Sequence, residues 1–243
     1  MDELAEEGRR LGPAWIREAR GGRFATREGV LDAPVLEACG EVAGQRALDS
    51  GCGAGRFCRI LLARGARAVL GLDRCEAMIE AAEALRSKGD AYRVADVQDL
   101  SFLEDGSFDL AVSYLNHCDL PDADANVREV FRVLAPGGRF VVANLHPMRS
   151  ATGLWHRAAD GAKEHVLLDR YFDEGARRWT ILGTEITNFH RSLGATCDGF
   201  LRAGFRIDRI VEPSVTPEAL ARFPELDDEL RVPNFIVYAL GKP

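Results

Sequence analysis

From residue 46 onward, short apolar runs alternate with helix-length amphipathic stretches, and this rhythm constrains the fold more than any other feature of the chain. Strand, crossover helix and strand form the repeating unit of a parallel sheet wrapped by helices. Arg46–Asp49 reads as a first strand, Ala68–Asp73 as a second, Ala91–Ala95 as a third, Phe108–Tyr114 as a fourth and Arg139–Asn144 as a fifth. Helices are expected over about 55–65, 75–87 and 122–134, with Gly65 closing the first and Pro136-Gly137-Gly138 the last. A helix over about 193–203, capped by Ser192 and ended by Gly204, precedes two final strands, Phe205–Val211 and Asn234–Leu240.

Two segments fall outside the alternation. Residues 3–20 place Leu4, Leu11, Trp15 and Ile16 at near-helical spacing, with Gly21-Gly22 as a stop, and a second helix is expected over about 31–40. Leu167–Phe172 and Trp179–Phe189, separated by Asp173-Glu174-Gly175-Ala176, read as one inserted β-hairpin. The expectation is a single α/β domain over 1–243: an N-terminal helical cap (1–44), a core (45–146), an inserted hairpin lid (147–191), and a C-terminal helix and strands (192–243).

Charge narrows the choice of partner. The net charge is −7, with arginines interleaved among acids, whereas nucleic-acid binding draws its affinity from lysine and arginine patches; no nucleic-acid partner is expected. No apolar run approaches the roughly 18–20 residues that span a bilayer, so no membrane association is expected. The first residues, Met1 to Glu7, are acidic where a secretory signal would be basic, which points to a cytoplasmic protein. Six scattered cysteines without a Cys-x-x-Cys pair suit reduced thiols rather than a zinc knuckle.

The chemistry gathers at strand ends. Leu48-Asp49-Ser50-Gly51-Cys52-Gly53-Ala54-Gly55-Arg56 is a glycine-rich turn between a strand and a helix, where side chains would clash with a ligand lying on the backbone. It departs from the dinucleotide fingerprint, because Gly55 comes one position early and Arg56 holds the place of the third glycine. Asp73 ends the second strand, where a carboxylate can accept hydrogen bonds from a ribose diol. Ala95-Asp96-Val97 ends the third, where a carboxylate and a backbone N–H can meet an adenine edge.

These motifs, with Gly71-Leu72-Asp73, Ser107-Phe108-Asp109-Leu110 and Val133-Leu134-Ala135-Pro136-Gly137-Gly138-Arg139, resemble the successive motifs of class I S-adenosylmethionine-dependent methyltransferases, closely over about residues 45–145. The resemblance implies a Rossmann-like, doubly wound seven-stranded sheet in the order 3-2-1-4-5-7-6, the last strand antiparallel, and S-adenosylmethionine as cofactor. It implies Gly51, Gly53 and Gly55 around the methionyl part with Asp49 nearby, Asp73 at the ribose, and Asp96 and Val97 at the adenine. Cys52, Arg74, Met78 and Tyr114 complete the implied cofactor-binding set. Ser50 departs from the family pattern, where valine or isoleucine is usual.

Methyl transfer needs a nucleophile held in line with the sulfonium methyl and a group to take its proton. Candidates past the fourth and fifth strands are Tyr114, Asn116 and His117, and Asn144 and His146; His190 ends the hairpin. The catalytic candidates are His117, His146, His190 and Tyr114, with the choice among them open. Asp119, Asp122 and Asp124 lack a carboxylate partner at the end of the fifth strand, so no metal is expected; Asp122 or Asp124 instead caps the following helix. Trp15, Phe24, Trp155, Tyr171, Phe172 and Trp179 are candidates for an aromatic lid, and Arg149, Arg170 or Arg191 for an acceptor carboxylate. The leading expectation is a small organic acceptor methylated at O, N or C by a monomer or homodimer. The alternatives are a tRNA or protein methyltransferase, or a non-catalytic S-adenosylmethionine-binding module.

Overall fold

A computed structural model describes residues 3–21 and 24–243; Met1 and Asp2 of the acidic start, and Gly22 and Arg23 after the first helix, lie outside the described residues. Helix α1 (Glu3–Gly21) leads through a short π-turn, Arg27–Leu31, into α2 (Asp32–Cys39). The alternation then follows as β1 (Arg46–Ser50), α3 (Arg56–Ala63), β2 (Ala68–Asp73), α4 (Glu76–Glu83), β3 (Asp90–Val94), β4 (Phe108–Tyr114), α5 (Ala123–Val133) and β5 (Leu134–Leu145). Beyond the insertion come α7 (Leu193–Arg202), β10 (Arg206–Val211), α8 (Pro217–Arg222) and β11 (Phe235–Gly241). Caps stand where the sequence put them: Ser192 accepts from Ala195 N–H, and Asp122, rather than Asp124, accepts from Ala125 N–H.

The sheet runs β3-β2-β1-β4-β5-β11-β10, the expected 3-2-1-4-5-7-6 order, with β11 antiparallel to both of its neighbours. Its central strands are buried on both faces, as a parallel sheet covered by helices requires. The pleat sends neighbouring residues into opposite cores. Val141 joins Leu61, Val112 and Val237 on one face, whereas Val142 joins Leu72, Phe140 and Phe200 on the other. Strand β5 begins at Leu134, earlier than expected, because its pairing with β4 jumps from Phe108↔Leu134 to Leu110↔Arg139. The extra residues bulge out around Gly137, whose φ of +76° suits glycine.

The insertion differs from the single hairpin expected. A short α6 (Pro147–Ser150) leads into two separate hairpins, β6 (Thr152–Arg157) with β7 (Lys163–Leu168), and β8 (Gly175–Ile181) with β9 (Thr184–His190). The second closes on Leu182-Gly183, both at positive φ, a two-residue turn that matches strand twist. Among the described residues, this hairpin and not the first covers the carboxyl ends of the central strands. Its strand β9 is tied to α1 by Glu7, whose carboxylate accepts from Thr187 N–H at 2.8 Å, Thr187 Oγ1 at 3.0 Å and Arg178 Nη1 at 2.6 Å. Helix α8 and the 3-10 segment Pro224–Leu230 lie between β10 and β11, a stretch with no clear period in the sequence. Among the described residues, no helix is long and apolar enough to cross a membrane.

Beneath the strand ends, a buried polar knot holds the layers in register. Asn126 on α5 donates from Nδ2 to Ser50 Oγ (3.0 Å) and to the Val97 carbonyl (2.7 Å), and its Oδ1 lies 3.0 Å from His117 Nε2. Ser50, the departure from the family pattern, is thus a hydrogen-bond partner in place of an apolar filler. Asn126→Ala would strand three buried polar groups at about 1–3 kcal/mol each before relaxation. Chemical denaturation is expected to show a loss of about 2–4 kcal/mol, and a loss below about 0.5 kcal/mol would contradict this role.

Candidate functional site

The turn after β1 is pinned before any ligand arrives. Gly51 N–H and Cys52 N–H both donate to the Leu72 carbonyl, at 2.9 and 2.8 Å. Gly51 has a φ of +91°, and a Cβ there would collide with the Asn116 side chain. Gly55 has a φ of +73°, and a Cβ would come within 2.6 Å of the Tyr92 hydroxyl. Gly53 differs, since a Cβ there would meet nothing within 4 Å. Its φ of +51° and the open space beside it leave bare backbone facing a cavity of about 280 Å³.

The cavity's floor is the glycine turn with the ends of β1, β2 and β4. Its roof is α1, through Leu4, Leu11 and Trp15, together with Ile181, Ile186 and Asn188 of the β8–β9 hairpin. Of the implied cofactor residues, Asp49, Gly51, Cys52, Gly53, Asp73, Arg74, Met78 and Tyr114 all line it. Gly55 stands one step behind, at the start of α3. Asp96 and Val97 do not line it. The Asp96 carboxylate turns back to accept from Gln98 N–H at 2.9 Å, and the Val97 side chain packs into the core.

Two strand-end carboxylates dominate the floor. Asp73 accepts from Gly53 N–H and Cys75 N–H, each at 2.9 Å; burial raises its pKa, and these N–H groups hold it back. Asp49 is 1% exposed, and burial pushes its carboxyl up to about 7, with a smaller opposing effect from the Cys58 thiol that donates to Oδ2 at 3.2 Å. Its Oδ1 is buried with no hydrogen-bond partner. An unpaired buried carboxylate oxygen on a cavity wall is matched by a cationic guest.

None of the three candidate histidines reaches the cavity. His117 is buried against Phe140 and Phe200 and bonded to Asn126, and burial pushes its pKa down to about 4. His146 caps α6, accepting at Nδ1 from Met148 N–H, and its Nε2 lies 2.9 Å from Glu212. His190 is fully buried; its Nε2 donates to the Tyr171 carbonyl (2.7 Å) and its Nδ1 lies 2.6 Å from Ser150 Oγ. The turn past β4, the residue after β5 and the end of β9 direct these three rings into the interior. Tyr114 does line the cavity, but it donates to Asp32 at 2.8 Å, and burial raises its phenol beyond the usual range, so it stays protonated at neutral pH. Asn116 lines the cavity, whereas Asn144 accepts from Cys118 N–H outside it.

Of the six aromatic candidates, only Trp15 and Phe24 line the cavity. Trp155 donates to Asp228, Tyr171 packs on His190, Trp179 stacks under Arg149, and Phe172 is 87% exposed. The arginine candidates are engaged elsewhere: Arg149 on Trp179, Arg170 with Asp173, and Arg191 with the carbonyls of His117, Leu120 and Pro121. Arg27, Arg56 and Arg74 line the cavity, and Arg27 is one the sequence did not flag. Arg27 sits 4.9 Å from the Trp15 ring, 4.6 Å from Phe24 and 5.7 Å from Tyr114, and lines the wall. Asp32 nearby is already taken by Arg56 and Tyr114. Among the described residues, Arg27 has no hydrogen-bond or ion-pair partner. Its pKa is lowered, chiefly by burial. One cavity therefore holds an unpaired carboxylate oxygen and an unpaired guanidinium, which suits a guest bearing both charges.

A family model for a methyltransferase domain matches residues 48–142. An S-adenosylmethionine-dependent methyltransferase from Mesorhizobium loti is 36% identical and superposes with a TM-score of 0.78, over 86% of this chain and 96% of that one. A ubiquinone biosynthesis O-methyltransferase of Neisseria meningitidis is 31% identical over 200 residues, 79% of this chain and 80% of the relative. An arsenite methyltransferase of Aquipseudomonas alcaligenes is 32% identical over 75% of this chain, which spans 53% of that relative's length. Several other curated methyltransferases are likewise matched over roughly two-fifths to a half of their own length.

The Asp49 carboxyl titrates near 7 when folded, against its ordinary 3.8. The folded chain therefore holds a proton that the unfolded chain gives up. The associated stability is complete below 3.8, falls as pH rises, and is gone above 7. Asp49→Asn removes this burden, so the unliganded variant is expected to gain about 1–3 kcal/mol at pH 8 and nothing near pH 4. Thermal melts across that range check it. A variant no more stable at pH 8 than wild type would contradict the placement.

Proposed function

Since this chain belongs to the class I S-adenosylmethionine-dependent methyltransferases, and is an enzyme that uses S-adenosylmethionine, we propose that it methylates an oxygen, nitrogen or carbon atom of a small organic metabolite, releasing S-adenosylhomocysteine. The observation that carries the acceptor class is the roof: α1 and the β8–β9 hairpin cover the cavity with leucine, isoleucine and tryptophan side chains. A site closed in this way takes a compact organic guest more readily than a polymer strand. The net charge of −7 supports the same reading.

The residues fit the cofactor group by group. Asp73 faces the ribose hydroxyls with the lone pairs left free by Gly53 and Cys75. The bare backbone at Gly53 accommodates the methionyl chain. Asp49 Oδ1 meets its ammonium, and Arg27 meets its carboxylate. Arg74 and Met78 line the part of the cavity past β2 and take the adenosyl end. When bound, the cofactor supplies an electron-poor methyl on a sulfonium. The chain's part is to hold that methyl against the acceptor and keep water out, tasks for the apolar roof and for the Glu7 tie that seats β9 on α1.

Incubation with methyl-labelled S-adenosylmethionine and a metabolite extract, followed by mass spectrometry, tests the acceptor class. The expected outcome is label in a low-molecular-mass organic compound, the kind of guest a closed, largely apolar cavity takes. Label confined to tRNA or protein, or tight cofactor binding with no transfer to any fraction, would overturn it.

A further inference from the structure

With the histidines turned inward, the proton of a protic acceptor must go to another group. Three of the acids lining the cavity are already committed. Glu7 is saturated by Thr187 and Arg178. Both oxygens of Asp73 accept backbone N–H groups. The free oxygen of Asp49, which no group of the chain meets, is committed to the cofactor's ammonium in the reading above.

Asp119 is different. Its Oδ1 accepts from Asn188 Nδ2 at 2.5 Å, and its Oδ2 makes no hydrogen bond among the described residues. The side chain is accessible to the cavity it lines. It closes the 3-10 turn His117–Asp119, its own N–H donating to the Asn116 carbonyl at 2.8 Å. The same turn presents Asn116, which lines the cavity against Gly51 and whose Nδ2 is a buried donor without a partner. One turn thus offers an open carboxylate oxygen and an unused amide donor, beneath a lid residue that grips the carboxylate.

We propose that Asp119 is the general base of methyl transfer, that Asn188 on the lid positions it, and that the nucleophile is a hydroxyl oxygen held by Asn116. This rests on the methyltransferase reading above. The hydroxyl gives its proton to Asp119 Oδ2 and its oxygen bonds the methyl carbon; the carbon–sulfur bond breaks and its electron pair stays on sulfur. A carbon or ammonium acceptor would leave the Asn116 donor without use. The surroundings suit the task. Enclosure pushes the Asp119 carboxyl up to about 7; Asp73 adds to the rise, while Cys118, Arg74 and Asn188 oppose it. A base in that range accepts a proton at neutral pH.

The test reads proton uptake as well as activity. A base within reach of the nucleophile lies close to the sulfonium, whose positive charge drives its proton off, whereas S-adenosylhomocysteine carries no such charge. Calorimetry at pH 7 in buffers of different ionisation heat should show S-adenosylmethionine releasing a measurable fraction of a proton more than S-adenosylhomocysteine, since a carboxyl pushed up to about 7 is partly protonated there. Asp119→Asn should abolish that difference and keep S-adenosylhomocysteine affinity within about threefold. It should also slow label transfer to the metabolite extract by roughly 10²-fold or more. Asn188→Ala should move the acid limb of the pH–rate profile upward, because it removes a donor to the carboxylate.

Equal proton release by the two ligands in wild type overturns the proposal, as does transfer by Asp119→Asn within threefold of wild type. A tenfold loss of S-adenosylhomocysteine affinity in that variant also overturns it, because Asp119 would then be a cofactor ligand. If wild type transfers no label to small molecules, the acceptor reading fails by itself, and the proton count still decides Asp119.

Discussion

A carboxylate oxygen without a partner, buried at the end of β1, sets the terms for the rest of the molecule. Burying an unpaired charge costs several kcal/mol unless something compensates it. At Asp49 one oxygen is met by the Cys58 thiol and the other by nothing in the chain. Arg27 carries the opposite charge under the same restriction, caged by aromatic rings instead of by acids. The fold tolerates both because its sheet is buried on two faces and its turn is pinned to Leu72. The result is one cavity that presents an unmet carboxylate oxygen and a guanidinium to whatever enters it.

Each layer of the structure serves that geometry. The parallel order brings the ends of β1, β2 and β4 to one edge, where Asp49, Asp73 and Tyr114 face the same space. Asn126 ties α5 to Ser50 and Val97 behind that edge. The roof is made differently. It hangs on Glu7, a buried carboxylate whose partners, Thr187 and Arg178, both belong to the β8–β9 hairpin. Floor and roof are therefore separately built.

Much of the floor was legible in the sequence. Glycine spacing and strand-terminal acids report local backbone needs, and the period of the apolar runs reports the sheet, down to its strand order. The misses have a common physical cause. His117, His146 and His190 occupy the right places along the chain, yet the direction of a side chain depends on tertiary packing that no local pattern encodes. The single expected hairpin became two because β7 is largely solvent-exposed, which leaves no alternation to read. Arg27 was one arginine among many; only the cage of Trp15, Phe24 and Tyr114 singles it out. Along the chain Asp119 is one acid in an acidic stretch, whereas its open oxygen is a property of the folded turn.

The central claim is that the cavity recognises the paired charges of an amino-acid tail through Asp49 and Arg27. The most direct measurement is the affinity of the protein for S-adenosylhomocysteine against 5′-methylthioadenosine, which shares the adenosyl thioether but lacks that tail. Two charge-assisted contacts at about 1.5–3 kcal/mol each predict that S-adenosylhomocysteine binds at least 100-fold more tightly, and that Arg27→Gln removes much of the gap. Equal affinities for the two ligands would contradict the account.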